Sequence, residues 1–244
     1  MLGLVFGSGF ENFVLQNART QKVTTPFGEA EFDIGIFCNK TIVVLHRHGK
    51  DHRYAPHQIP ARAQMWALHE AGVTDIIAVG SVGGMSAENA PGHFTVPDQL
   101  IDYTSGREST YWGEAPIATS HVDFTQPFDE GLRGKILDAA QTCKVYVHNR
   151  GTYACTQGPR LETAAEVRRM IMDGCDLVGM TAMPEAVLAR ELGMRYALIC
   201  FSVNWAAGLV DNRLDFEAIK LNMGRSVSTL ERILAECVAA YDFV

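Results

Sequence analysis

Six short segments of the chain carry residue types able to do chemistry on an anion and a polar ring. In His46-Arg47-His48-Gly49-Lys50-Asp51-His52, an arginine fork that fits phosphate oxygens stands beside histidine donors. The alternatives there are a solvated loop or a metal site, although no HExxH ligand helix accompanies the histidines. Gly7-Ser8-Gly9 follows a strand-like run, and such a turn exposes backbone N–H groups and a hydroxyl to an oxyanion. It is neither a dinucleotide fingerprint, because position 12 is Asn12, nor a P-loop, which needs Lys-Ser/Thr; by itself it is also an ordinary tight corner. Gly80-Ser81-Val82-Gly83-Gly84 permits close backbone approach to a ligand, or simply a turn. In Gln157-Gly158-Pro159-Arg160-Leu161-Glu162-Thr163, the Glu162 carboxylate stands at a helix start, where it either caps the helix or accepts from ring N–H groups. Gly179-Met180-Thr181-Ala182-Met183-Pro184-Glu185 enters a helix whose N-terminus favours anions. Asn204 ends a strand, as a turn residue or as an amide that both donates to and accepts from a purine edge.

The elements that must position these groups are legible as runs and periodicities. Residues 2–6, 41–46, 75–79 and 197–203 are short apolar runs that read as buried strands. Helices are predicted over 60–71, from Pro60 to Gly72, and over about 163–173, with Val167, Met170 and Ile171 on one face. A third runs from Pro184 to Gly193, and the last, about 215–240, repeats Val227, Leu230, Ile233, Leu234, Cys237 and Val238 at helical spacing. Strands alternating with helices predict an α/β fold with a largely parallel or mixed sheet, organised as one domain over 1–244.

Composition removes several classes of function. Of the 244 residues 47% are apolar and 20% charged, enough to bury a large core, and no apolar run reaches the length of a membrane span. The net charge of −7 argues against a nucleic-acid surface, so an anionic ligand must be held by a local cluster of donors. The six cysteines include no CxxC pair, and buried free thiols in a reducing cytosol are expected, at Cys155 and Cys200 above all. The start runs from Met1 straight into a strand without a basic leader, so no signal peptide is predicted.

In their order along the chain, these motifs resemble the purine nucleoside phosphorylase and methylthioadenosine phosphorylase family. Ile101-Asp-Tyr-Thr-Ser-Gly-Arg-Glu108, Tyr153-Ala-Cys-Thr-Gln-Gly-Pro-Arg-Leu-Glu-Thr163 and Asn204-Trp-Ala-Ala-Gly208 are most similar to its bacterial S-methyl-5′-thioinosine phosphorylases. The resemblance runs from about residue 3 to 240. It implies a twisted central mixed sheet, partly closed into a barrel and flanked by helices. It implies phosphate binding by Ser8, Arg47, His48, Ser81 and Thr181, ribose packing by Met180, and purine contacts from Leu161, Glu162, Asn204, Trp205 and Ala206. Asn204 is the residue that addresses the base during catalysis. The resemblance also implies a cytoplasmic homotrimer in which His121 reaches a neighbouring subunit's site. It further implies inorganic phosphate as the co-substrate, with no metal or organic cofactor.

The substrate expected is a 6-oxopurine nucleoside, because Asn204 can donate to O6 or N7 and Glu162 can accept from N1–H. The adenine-specific relatives carry Asp and a small residue such as Ser at these two positions. Phe216 and Ile219, three apart on the last helix, are expected to wall the sugar's 5′ end and favour a methylthio group; they also read as plain core residues. A general inosine or guanosine phosphorylase, a nucleoside hydrolase and a non-catalytic nucleoside-binding module are the alternatives.

Overall fold

The computed structural model describes residues 1–113, 121–210 and 216–241, the side chains of residues 216 and 218 excepted. Ten strands form one mixed sheet: β1 (Leu2–Phe6), β2 (Gln16–Thr25), β3 (Gly28–Phe37), β4 (Lys40–His46), β5 (Asp75–Gly84), β6 (Phe94–Thr95), β7 (Gln99–Asp102), β8 (Thr152–Cys155), β9 (Leu177–Gly179) and β10 (Arg195–Trp205). Among the described residues five α-helices accompany it: α1 (Ala61–Glu70), α2 (Glu130–Thr142), α3 (Ala164–Met172), α4 (Ala182–Glu191) and α5 (Phe216–Ala239).

The sheet is built outward from β1, whose five residues are all buried. It pairs in parallel with β4 on one side and β5 on the other, and β10 runs parallel to β5 along its whole length. Side chains alternate across these strands: Val5 enters the core under α1 and α4, whereas Leu2, Leu4 and Phe6 enter the core under α2 and α5. Buried on both faces, the strands lack polar alternation, which is why they read as continuous apolar runs. The hydrogen-bonded path runs β2-β3-β4-β1-β5-β9-β8-β7, with β10 branching from β5 and carrying β6. No ladder joins β2 to β7 among the described residues, so the expected partial closure into a barrel is not seen as a ladder between those edge strands, and the sheet branches at β5.

Strands β1, β4, β5, β8, β9 and β10 all deliver their carboxyl ends to the same region: Gly7-Ser8, Arg47-His48, Ser81–Gly84, Thr156, Met180-Thr181 and Asn204. Ligands of open α/β sheets bind at that edge. Antiparallel β2 and β3 form a hairpin at the far end, and β2 is exposed along most of its length. No helix among the described residues is long and apolar enough to cross a membrane.

Candidate active site

At the carboxyl edge lies a cleft of about 250 Å³. It gathers Ser8, Arg47, His48, Ser81, Leu161, Glu162, Met180, Thr181, Asn204, Ala206 and Ile219, eleven of the fourteen residues expected from sequence. Trp205, Phe216 and His121 are the exceptions. Trp205 contributes its carbonyl, not its ring. The side chain of Phe216 lies outside the described residues. His121 is exposed, packs edge-on against Trp112 and does not line this cleft.

The anion end is built around Arg47, which is 1% exposed. Its fork is committed to the protein: Nε and Nη2 donate to the two Glu185 carboxylate oxygens at 2.6 and 3.1 Å, Nη1 to Val79 O at 2.7 Å, and Nη2 more weakly to Val5 O at 3.4 Å. Of about five guanidinium N–H groups, one on Nη1 is left for a ligand. Arg47 therefore offers a fixed charge and a single donor where sequence suggested a bidentate clamp. Burial opposes that charge, but Glu185 outweighs it and raises the guanidinium's pKa above the usual arginine value. Gly7 is required here because a Cβ would stand 2.7 Å from Arg47 Nη1.

His48 is buried, and its Nδ1 donates to Tyr54 O at 2.9 Å, leaving Nε2 for a ligand. Desolvation, with the Arg47 charge adding to it, pushes its pKa down to about 4, so the ring is neutral at physiological pH. The Thr181 N–H meets the hydroxyl of fully buried Tyr153 at 3.3 Å. Gly179 makes room for that tyrosine, since a Cβ would lie 2.1 Å from its hydroxyl.

The opposite end is suited to a heteroaromatic edge. Asn204 Nδ2 donates to Trp205 O at 2.7 Å. This contact settles which end of the amide is nitrogen and leaves Oδ1 and the second Nδ2–H for a ligand. Thr156 Oγ1 donates to Glu162 Oε1 at 2.6 Å, so Oε2 remains as an acceptor. The capping reading of Glu162 is corrected: Thr163 caps α3, in a capping box completed by Glu166. Among the described residues, the apolar wall expected from Phe216 and Ile219 is formed by Ile219 with Met223, one turn further along α5.

Sequence reasoning passed over Arg107 and the Glu185–Tyr196 pair. Arg107 donates to Gln157 Oε1 and to the carbonyls of Thr156, Gln157, Met180 and Met183 at 2.6–3.1 Å, tying the base segment to the ribose segment. Tyr196 Oη donates to Glu185 Oε2 at 2.9 Å. The only sequence signal for either was the placement of Arg107 and Glu185 within motifs already singled out. Among the described residues no group of three His, Cys, Asp or Glu side chains is arranged to hold a metal ion.

A neutral histidine, an ion-paired arginine and hydroxyls at one end suit an oxyanion, and an oriented amide and carboxylate at the other suit a heteroaromatic edge. The comparisons agree with that reading. Residues 2–239 match the model of the Phosphorylase superfamily, and the chain belongs to that family. It is 42% identical to the "6-oxopurine nucleoside phosphorylase" of Pyrococcus furiosus, over 96% of this chain and 91% of that one. It is 43% identical to the "Probable S-methyl-5'-thioinosine phosphorylase" of Pseudomonas syringae pv. tomato, over 95% and 97% of the two chains. Among solved structures, the methylthioadenosine phosphorylase from Schistosoma mansoni in complex with tubercidin superposes with a TM-score of 0.90 at 32% identity, covering 99% of this chain and 92% of that one.

Proposed function

We propose that this enzyme splits a 6-oxopurine nucleoside, S-methyl-5′-thioinosine, with inorganic phosphate to give hypoxanthine and 5-methylthioribose 1-phosphate. The observation that carries the base assignment is the pairing of an amide oriented by Trp205 O with a carboxylate whose Oε2 is open. A 6-oxopurine offers an N1–H to Glu162 and an acceptor, O6 or N7, to Asn204. An aminopurine lacks the N1 proton and presents a donor at C6, so Glu162 would lose its partner. The 5′ assignment rests on Ile219 and Met223, which give a methylthio group an apolar wall.

In this reading phosphate sits among Ser8, Arg47, His48, Ser81 and Thr181 and attacks C1′ of the sugar. The C1′–N9 bond breaks, its electron pair passes to the purine, and Asn204 stabilises the charge developing there. A preorganised donor of this kind is worth about 10²–10³ in rate. The Arg47 charge, balanced by Glu185, leaves phosphate itself as the countercharge to the developing oxocarbenium ion. The chain works as one catalytic domain in a cytoplasmic homotrimer, with His121 serving a neighbouring subunit. A general inosine or guanosine phosphorylase is the second reading, because the base contacts serve those substrates equally.

The test compares kcat/KM for methylthioinosine, inosine, guanosine and methylthioadenosine at saturating phosphate, in the wild type and in Asn204→Asp. Methylthioinosine is expected to lead inosine by at least about tenfold, equivalent to ~1.4 kcal/mol in transition-state binding. Asn204→Asp is expected to depress oxopurine turnover. Faster wild-type cleavage of methylthioadenosine than of methylthioinosine would overturn the base assignment, and equal rates on methylthioinosine and inosine would favour the second reading.

A further inference from the structure

The loop after β4 holds a histidine that the phosphorolysis above does not use. His52 Nε2 lies 3.0 Å from Ser8 Oγ, and its Nδ1 lies 3.5 Å from Glu11 Oε1. Its ring stacks on His48, with centroids 4.6 Å apart and planes at 14°. Glu11 is itself fixed, because the Gly9 N–H reaches its two carboxylate oxygens at 3.0 and 3.1 Å. A carboxylate, an imidazole and a hydroxyl therefore stand in series, and the hydroxyl end belongs to the cleft lining.

The backbone is bent to achieve this. Asp51 and His52 are consecutive non-glycine residues at φ of 67° and 55°, after Gly49 at 75°. Left-handed geometry is unfavourable for non-glycine residues, and it persists where the surrounding structure holds it.

Phosphorolysis leaves a proton to be moved. Phosphate attacks as HPO₄²⁻ and ends as a phosphate ester, while the purine leaves as an anion and ends with a proton on nitrogen. His48 is poorly suited to accept the phosphate proton, because burial disfavours its cation. His52 is 43% exposed at its side chain and has a carboxylate at its other nitrogen.

We propose that His52, oriented by Glu11, takes up this proton through Ser8. As the phosphate oxygen bonds to C1′ and the C1′–N9 pair passes to the purine, the P–OH proton moves to Ser8 Oγ and the Ser8 proton moves to His52 Nε2. The imidazolium, facing Glu11, releases its proton to solvent, and the purine takes one from solvent. The sum is one proton transferred from phosphate to base. His52 touches neither substrate and acts as a positioning residue behind Ser8, so the relay rests on the reading of Ser8 as a phosphate ligand. The charged or titratable groups facing His52 are Glu11 from the β1 turn and the neutral His48 ring. Its chain neighbours are Lys50, whose charge is met by Glu31 and Asp33 at 3.1 and 3.2 Å, and Asp51 and Arg53.

The experiment measures the single-turnover rate on methylthioinosine at saturating phosphate from about pH 5 to pH 9, the range in which histidines titrate. Wild type, His52→Asn, Glu11→Gln and Ser8→Ala are compared, with melting temperatures taken alongside. Asn tolerates positive φ and keeps a hydrogen-bonding end but cannot titrate. The wild-type rate is expected to fall on the acid side of this range. His52→Asn should flatten that fall and run at least about a hundredfold slower, at the low end of general-base effects. Glu11→Gln should slow the rate in the same sense, since it removes the carboxylate that orients His52. A His52→Asn rate within about twofold of wild type, or an acid limb unchanged in that variant, would overturn the relay while leaving the phosphate site standing. An unchanged phosphate KM in Ser8→Ala would instead overturn the phosphate assignment on which the relay rests.

Discussion

Replacing Glu185 by Gln isolates the buried ion pair on which the anion site is built. Arg47 and Glu185 are each 1% exposed, with two contacts between them and a third to the carboxylate from Tyr196. The amide would keep the shape but bring an NH₂ group against guanidinium and phenol donors, leaving the arginine cation buried without a counter-ion. Breaking one partner of a buried pair costs about 3–5 kcal/mol. Against a total stability of about 5–15 kcal/mol this is a large loss. At about 2–4 °C per kcal/mol for a chain of this size, Tm should fall by roughly 6–20 °C. Phosphate would then become the nearest countercharge for Arg47, so it should bind the variant more tightly and restore part of the lost stability. Saturation at about 100 times Kd is worth about 2.7 kcal/mol. The assay is a thermal melt of wild type and Glu185→Gln across a phosphate titration. A fall of less than about 2 °C, or an equal rise with phosphate in both proteins, would refute the reasoning.

Two further outcomes follow from the same geometry. Met223→Ser should lower kcat/KM for methylthioinosine by about tenfold or more while changing inosine less, since each buried CH₂-sized group is worth about 0.8 kcal/mol; parallel losses on both would contradict the 5′ wall. The His48 pKa is depressed to about 4 in the folded chain, so its contribution is fully present above the unfolded value of about 6.5. It is lost as pH falls from about 6.5 to 4, a total of about 3 kcal/mol, so wild-type Tm should drop through that window more steeply than that of His48→Gln.

The sequence revealed the elements that are buried on both faces and the turns that follow them. The runs in β1, β4, β5 and β10 were visible because core strands lack polar alternation; α1, α3 and α4 were bounded by Pro, Thr or Gly, and α5 showed through its apolar repeat. Strand β2 escaped because it is largely exposed and polar, with no apolar alternation, while β3 carries a readable alternation, Ala30, Phe32, Ile34 and Ile36, that the sequence reading passed over. The strands β6 to β9 escaped because two to four residues carry no readable period. Helix α2 has a clear Asp129 cap, but its apolar face of Leu132, Ile136, Ala139 and Ala140 is interrupted by the buried Arg133. Within the site, ligand-facing residues lie at strand ends and could be read in order. Their partners could not: Arg47 meets Glu185 across 138 residues and Arg107 meets Met183 across 76, contacts that only the folded topology makes. Met223 was passed over at the apolar wall for a simpler reason, since residues three before and four after Ile219 both fit one helical face and packing selects between them.

The central claim is that phosphate, not water, takes the sugar, and the products report it directly. Methylthioinosine incubated with the enzyme in phosphate-free buffer and again with added phosphate is followed for hypoxanthine and for the sugar product. The account predicts hypoxanthine and 5-methylthioribose 1-phosphate in equal amounts, with release dependent on phosphate. Hypoxanthine released at the same rate without phosphate, together with free methylthioribose, would contradict it.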